Sequence, residues 1–178
     1  DKTVPHLPNW HRRKDPAFMA ALAAAGARPE VVDIVAWTHL HVDHVGWTTR
    51  LVDGRWVPTF PNARVLTTSA DLAYAEARAE RELEGVAGRV FAETLGPLIE
   101  HGRIETVAPD AEIDEAVRLR PTPGHTPGHV SVEVLAGPGA GPEAGALVTG
   151  DFIHSPLQCA LPDLCPMVDA DKAAAAAS

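Results

Sequence analysis

Thr38-His39-Leu40-His41-Val42-Asp43-His44-Val45-Gly46-Trp47 sets three imidazoles and one carboxylate within six positions, His39 to His44. The run follows Val31-Val32-Asp33-Ile34-Val35-Ala36-Trp37, a short, β-branched stretch bounded upstream by Pro29 that reads as a buried strand. His39 and His41 are two apart, so at the end of a strand they project to the same side. The chain must then turn for Asp43 and His44 to face the same point, and Gly46 gives it the freedom to do so. Neutral imidazole nitrogens and a carboxylate oxygen suit Zn²⁺, Mn²⁺ or Fe²⁺. Four such residues are too many for one tetrahedral ion that keeps an open position, and they point to two neighbouring ions. Nine of the 178 residues are His, so pairs arise by chance in a polar loop. An ordered quartet behind a strand is a far stronger signal.

A second constellation sharpens the first. Pro121-Thr122-Pro123-Gly124-His125-Thr126-Pro127-Gly128-His129 lies between two alternating runs, Ala116 to Arg120 and Val130 to Leu135. A rigid Pro/Gly turn between strands presents one His at a fixed angle. His125 is therefore the natural third ligand for an ion held by His39 and His41. His129 opens the next strand and reads as a buried hydrogen-bonding group behind the ligands. The third piece is Ala146-Leu147-Val148-Thr149-Gly150-Asp151, an apolar strand ending in Gly-Asp. A carboxylate there can bridge two cations, although Gly-Asp alone is a common turn.

In this order, His39-x-His41-x-Asp43-His44, His125 in Thr-Pro-Gly-His and Asp151 in Gly-Asp closely resemble the metallo-β-lactamase superfamily. The resemblance runs through nearly the whole chain. Trp56 to Ala63 and Gly150 to Gln158 look like the branch containing methyl parathion hydrolase and related lactonases. It implies an α/β fold, the metallo-β-lactamase αββα sandwich with sheets inside and helices outside. It also implies that His39, His41 and His125 hold one ion, that Asp43 and His44 hold the second, and that Asp151 bridges them. The ions implied are two divalent metals, Zn first, with Mn, Fe or Co as alternatives. The family supplies one more His from well downstream of the bridging Asp. His154 stands three residues after Asp151, too near for that part, and is assigned a supporting place behind the ligands. The expectation is a single, partial domain over residues 1–178, incomplete at both ends. Asp1-Lys2-Thr3 resembles the piece that follows the family's early strands, and residues 173–178 read as a frayed tail.

Composition agrees with one domain able to bury a core, at 46% hydrophobic over 178 residues. Net charge is −9, from 15 basic and 24 acidic residues with no basic cluster, which argues against a nucleic-acid partner. No apolar run reaches the length of a membrane span and no leader is visible, so the expectation is a cytoplasmic protein with no membrane partner. Missing early strands would expose apolar faces and favour a homo-oligomer. Cys159 and Cys165 lie outside any His/Cys motif and read as free thiols.

Elsewhere, Asp15 and Pro16 open a helix over 17–25 that Gly26 ends. Ser69 caps a longer helix from 70 to about 84, and a third from about 89 to 100 bends or breaks at Pro97. Strands are expected near 31–38, 63–68, 103–108, 112–120, 129–136 and 146–150. Gly137 to Pro142 reads as an exposed hairpin tip.

Two adjacent cations lower the pKa of a bridging water, and the resulting hydroxide attacks an electrophilic carbonyl or phosphoryl centre. Asp43 and Asp151 are thus the catalytic carboxylates, as ligands and not as free bases. Trp47 is the first candidate for substrate contact; Trp56 and Phe60 either join an aromatic rim or cover the core, and Trp37 is core. The expected activity is hydrolysis of a small-molecule ester, lactone or organophosphate. Alternatives are a glyoxalase II-type thioesterase, a mononuclear iron dioxygenase acting on persulfides, and an inert metal-binding fragment. A flavodiiron redox protein is disfavoured, because that branch has a carboxylate where His41 stands.

Overall fold

The computed structural model describes residues 2–137 and 144–178. Most of the expected hairpin tip, from Pro138 to Pro142, lies outside them, as does Asp1. The chain forms two compact units. One comprises Asp1–Val35, His41–Leu66 and Ala75–Glu105; the other comprises Ala36–Leu40, Thr67–Tyr74 and Thr106–Ser178. A three-stranded sheet of order β1-β4-β5, made of Ile34–Ala36, Arg64–Thr68 and Ile104–Val107, contributes residues to both. Among the described residues no helix is long and apolar enough to cross a membrane.

In the first unit, α1 (Ala17–Ala24) starts where Asp15 Oδ1 accepts the Ala17 amide at 2.9 Å, and it ends at Gly26 with φ +83°. The four-residue helix α2 (Val42–Val45) carries Asp43 and His44. It is followed by an antiparallel hairpin, β2 (Thr49–Val52) and β3 (Arg55–Pro58), which was not among the expected strands. Its two-residue turn is Asp53-Gly54, both at positive φ, the backbone that matches the right-handed strand twist.

The third expected helix changes its hydrogen-bond pattern just before Pro97. α4 (Val86–Val90) passes through one wide turn at Phe91–Leu95 into α5 (Gly96–Glu100). Proline has no amide to give to the carbonyl four residues back, here that of Glu93. That carbonyl is taken instead by Lys2 Nζ at 2.7 Å and Thr49 Oγ1 at 2.6 Å. Lys2 also stands 3.6 Å above the Trp56 ring. Burial lowers its pKa to about 7, against the opposing charge of Glu93. Leu95, Leu98 and Val45 are at most 1% exposed and anchor this unit's core.

In the second unit, β6 (Val117–Pro121), β7 (Val130–Val134) and β8 (Ala146–Val148) form an antiparallel sheet in that order. Register runs from Val117 opposite Val134 to Pro121 opposite Val130, so residues 122–129 are the connection between β6 and β7. Helix α3 (Ser69–Arg81) is capped one residue earlier than expected, by the Thr68 hydroxyl, which accepts the Asp71 amide at 3.2 Å. The alanine run is ordered as α6 (Lys172–Ala177), because Asp171 Oδ1 accepts the amides of Ala173 and Ala174 at 3.0 Å each.

Candidate metal centre

The strand before the His-rich run ends at Ala36, so His39 and His41 lie beyond it, in the link to α2. The unit boundary falls between Leu40 and His41. His39, His125, His129, Asp151 and His154 belong to the second unit, and His41, Asp43, His44 and Trp47 to the first.

In the second unit, the β6–β7 connection closes through Thr122 N to His129 O at 3.0 Å, and Val130 N binds Thr38 O at 2.9 Å. This brings the His39 and His125 rings edge to face, with centroids 4.8 Å apart. His39, His125 and His129 are each at most 2% exposed. Gly150, at φ +60°, passes where any β-carbon would collide with His129 and Thr38. Asp151 follows it, and its amide donates to His129 Nε2 at 3.0 Å, while His129 Nδ1 meets the Thr122 hydroxyl at 2.8 Å. The Asp151 carboxylate lies 3.7 Å from His125 Nε2 and 3.4 Å from His154 Nε2. His154 is thus within reach of the Asp151 carboxylate, and its ring also lies near that of His125, with centroids 4.9 Å apart. His125 Nδ1 is bonded to the buried Asp169 carboxylate at 2.8 Å. The turn is further tied by Ala170 N to His125 O at 3.2 Å and Asp171 N to Gly124 O at 2.9 Å.

These residues fit a cation. Two atoms bound to one Zn²⁺ at about 2.0–2.2 Å lie no more than about 4.4 Å apart. The two carboxylate–imidazole separations fall within that limit, and the ligand atoms of His125, Asp151 and His154 all lie within 4.8 Å of one another. A carboxylate on the far nitrogen of a ligating His is the arrangement that orients the ring and raises its basicity.

In the first unit, α2 sets Asp43 beside His44, with carboxylate and imidazole 3.4 Å apart. Burial acts to raise the Asp43 pKa, but the His44 hydrogen bond and charge outweigh it and hold the carboxyl below its usual range. His41 Nε2 is 3.4 Å from Arg78 Nη1. Asp43 also lines a cavity of about 360 Å³, together with Trp10, Phe18, Trp47, Arg13 and Arg50. The Phe18 and Trp47 rings pack at 5.0 Å. Trp56 and Phe60 are absent from that lining: Phe60 is buried and Trp56 sits beneath Lys2. Trp37 is core, at 3% exposed.

Sequence reasoning missed Asp71, Asp169, Trp10 and Phe18. Asp71 looks like an ordinary first-turn acid complementing the α3 dipole. Asp169 has no spacing relation to His125, from which 44 residues separate it.

Residues 9–176 match the family model of the metallo-β-lactamase superfamily. None of the curated proteins compared matches the chain. Among solved structures, a hydrolase of the beta lactamase superfamily, AbOPH, is 28% identical with a TM-score of 0.70, over 89% of this chain and 54% of that one. A probable metal-dependent hydrolase from Staphylococcus aureus gives 0.75 at 16% identity, over 99% and 58%. AidC, a dizinc quorum-quenching lactonase, gives 0.70 at 17% identity, over 95% and 58%. The chain therefore spans little more than half the length of these relatives.

Proposed function

Because the chain belongs to the metallo-β-lactamase superfamily, we propose that it is a metal-dependent hydrolase of small esters, lactones or organophosphates. Its ligands are His39, His41 and His125 for one ion and Asp43 and His44 for the second, with Asp151 bridging. Both ions are Zn²⁺ or a similar divalent metal. The observation that carries this reading is the second unit's grouping of the buried His39 and His125 with the partly exposed Asp151, braced by His129 and Asp169.

When bound, two such ions supply an acidified water and a Lewis acid for the electrophile. The protein's own residues set the rest. Asp169 on Nδ1 selects the His125 tautomer whose Nε2 lone pair faces outward, towards Asp151. His129 holds the Asp151 backbone in place. Asp43, kept ionised by His44, contributes charge at the wall of the aromatic cavity. Trp47 and Phe18 offer that cavity a flat apolar face, which favours an aryl or acyl substituent next to Asp43.

A hydrolysis panel of lactones, aryl esters, organophosphate triesters and thioesters, run before and after metal reconstitution, tests the reading. Turnover of one of the first three classes that appears only with metal is the expected result. Preference for thioesters would move the substrate class, and no turnover with any metal would overturn the activity.

A further inference from the structure

We propose that Asp71 is a positioning residue that ties the His39-Leu40 segment to the turn carrying His125, fixing those two imidazoles before any ion arrives. The inference rests on the ligand assignment above. Asp71 is 1% exposed, in the first turn of α3. Its Oδ2 accepts the amide of Leu40, the residue between His39 and His41, at 2.8 Å. Its Oδ1 accepts the amide of Gly128, next to His129 and three residues from His125, at 3.3 Å. One carboxylate thus holds both histidine-bearing segments of the second unit.

The same grip is closed from the other side. The Thr68 hydroxyl donates to Gly128 O at 2.8 Å while accepting the Asp71 amide at 3.2 Å. Glycine is required at 128, because a β-carbon there would collide with Thr68 and with the Asp71 backbone. Helix capping does not account for Asp71, since Thr68 already serves the α3 start. Burial pushes the Asp71 carboxyl above its usual range, opposed by the Thr126 hydroxyl and the Leu40 and Gly128 amides. A buried carboxylate is a costly way to satisfy two amides. It is explained if what those amides position is a site that must not move.

The test uses the full chain and Zn²⁺ as the probe. Zn²⁺ affinity is read by competition with a chromophoric chelator for wild type, Asp71→Ala and Asp71→Asn. Leu95→Ala, a core change in the other unit, serves as a merely destabilised control. Hydrogen exchange at the Leu40 and Gly128 amides is read on the metal-free proteins. Asp71→Ala should weaken the tightest Zn²⁺ equivalent by about 10–100-fold and speed exchange at both amides. Asp71→Asn, which keeps one acceptor and stays informative if the alanine variant fails to fold, should fall between. Leu95→Ala should lose thermal stability and keep its Zn²⁺ affinity. Wild-type affinity in both Asp71 variants, or unchanged exchange at Leu40 and Gly128, would overturn the proposal. A wild type that binds no Zn²⁺ would instead overturn the ligand assignment, and the exchange data would still decide whether Asp71 is a clamp.

Discussion

The two groups of expected ligands are held in opposite ways. In the second unit, His39, His125 and His129 are buried; Asp169 fixes the His125 ring, Thr122 the His129 ring, and His129 the Asp151 backbone. In the first unit, Asp43 and His44 sit half-buried on a four-residue helix, and Trp47 beside them is 44% exposed. A single helical turn supplies almost no stability of its own. The difference teaches which half is pre-organised. In the proposed site, the first group is braced by the fold around it, whereas the second rests on one helical turn.

The largest expected effect removes the carboxylate that faces the buried histidines. Asp151→Ala should lower hydrolysis more than 100-fold, a loss of roughly 3 kcal/mol or more of transition-state stabilisation. His154→Ala should cost less, and kinetics with metal analysis on both variants ranks them. Equal losses would place His154 among the ligands, as its 3.4 Å approach to Asp151 allows.

Next is the brace behind His125. Asp169→Ala should reduce affinity for the tightest metal by about 10–100-fold, because the ring loses the group that fixes its tautomer and angle. Chelator competition reads this directly. An unchanged affinity would mean that the turn alone holds His125.

A smaller effect is expected from the exposed group. Trp47→Ala removes a half-exposed aromatic wall worth about 1–2 kcal/mol of apolar contact, so KM for aryl or acyl substrates should rise roughly tenfold with kcat little changed. Loss confined to kcat would put Trp47 at the reacting centre and not at the substituent.

A separate effect, on stability and not on turnover, concerns Lys2. Folded Lys2 titrates at about 7 against an ordinary 10.5. Between those values the unfolded chain binds the extra proton, so stability should rise with pH across that window. Lys2→Met should flatten the rise, read as the urea midpoint from pH 6.5 to 10. An unaltered slope would mean that the Glu93 carbonyl, the Thr49 hydroxyl and the Trp56 face hold Lys2 charged.

The parts of this protein that could be read in its sequence are those written locally. The Thr-Pro-Gly-His turn and the strand leading to Gly150-Asp151 bear their signal within a few residues and lie where they were expected. The stretch from Val31 to Trp37, read as one buried strand, is a strand only over Ile34–Ala36, with Val31 half exposed in a preceding 3-10 turn. The β2–β3 hairpin was equally local, since Asp53-Gly54 between apolar runs is a strong turn signal, but the ligand run beside it drew the reading away. Asp71 and Asp169 were not legible, because their partners lie up to 57 residues away and a lone Asp has no period. The wide turn that leads the third helix into Pro97 was hidden for the same reason. It depends on Lys2 and Thr49 reaching the Glu93 carbonyl, 91 and 44 residues distant.

X-ray absorption at the zinc edge, on the full chain loaded with Zn²⁺, tests the central claim most directly. Only nitrogen and oxygen neighbours should appear, at about 2.0–2.2 Å with the outer-shell pattern of several imidazoles, and that pattern should weaken in His125→Ala. Sulfur at about 2.3 Å, which Cys159 or Cys165 alone could supply as thiolates, or a protein that retains no zinc, would contradict it.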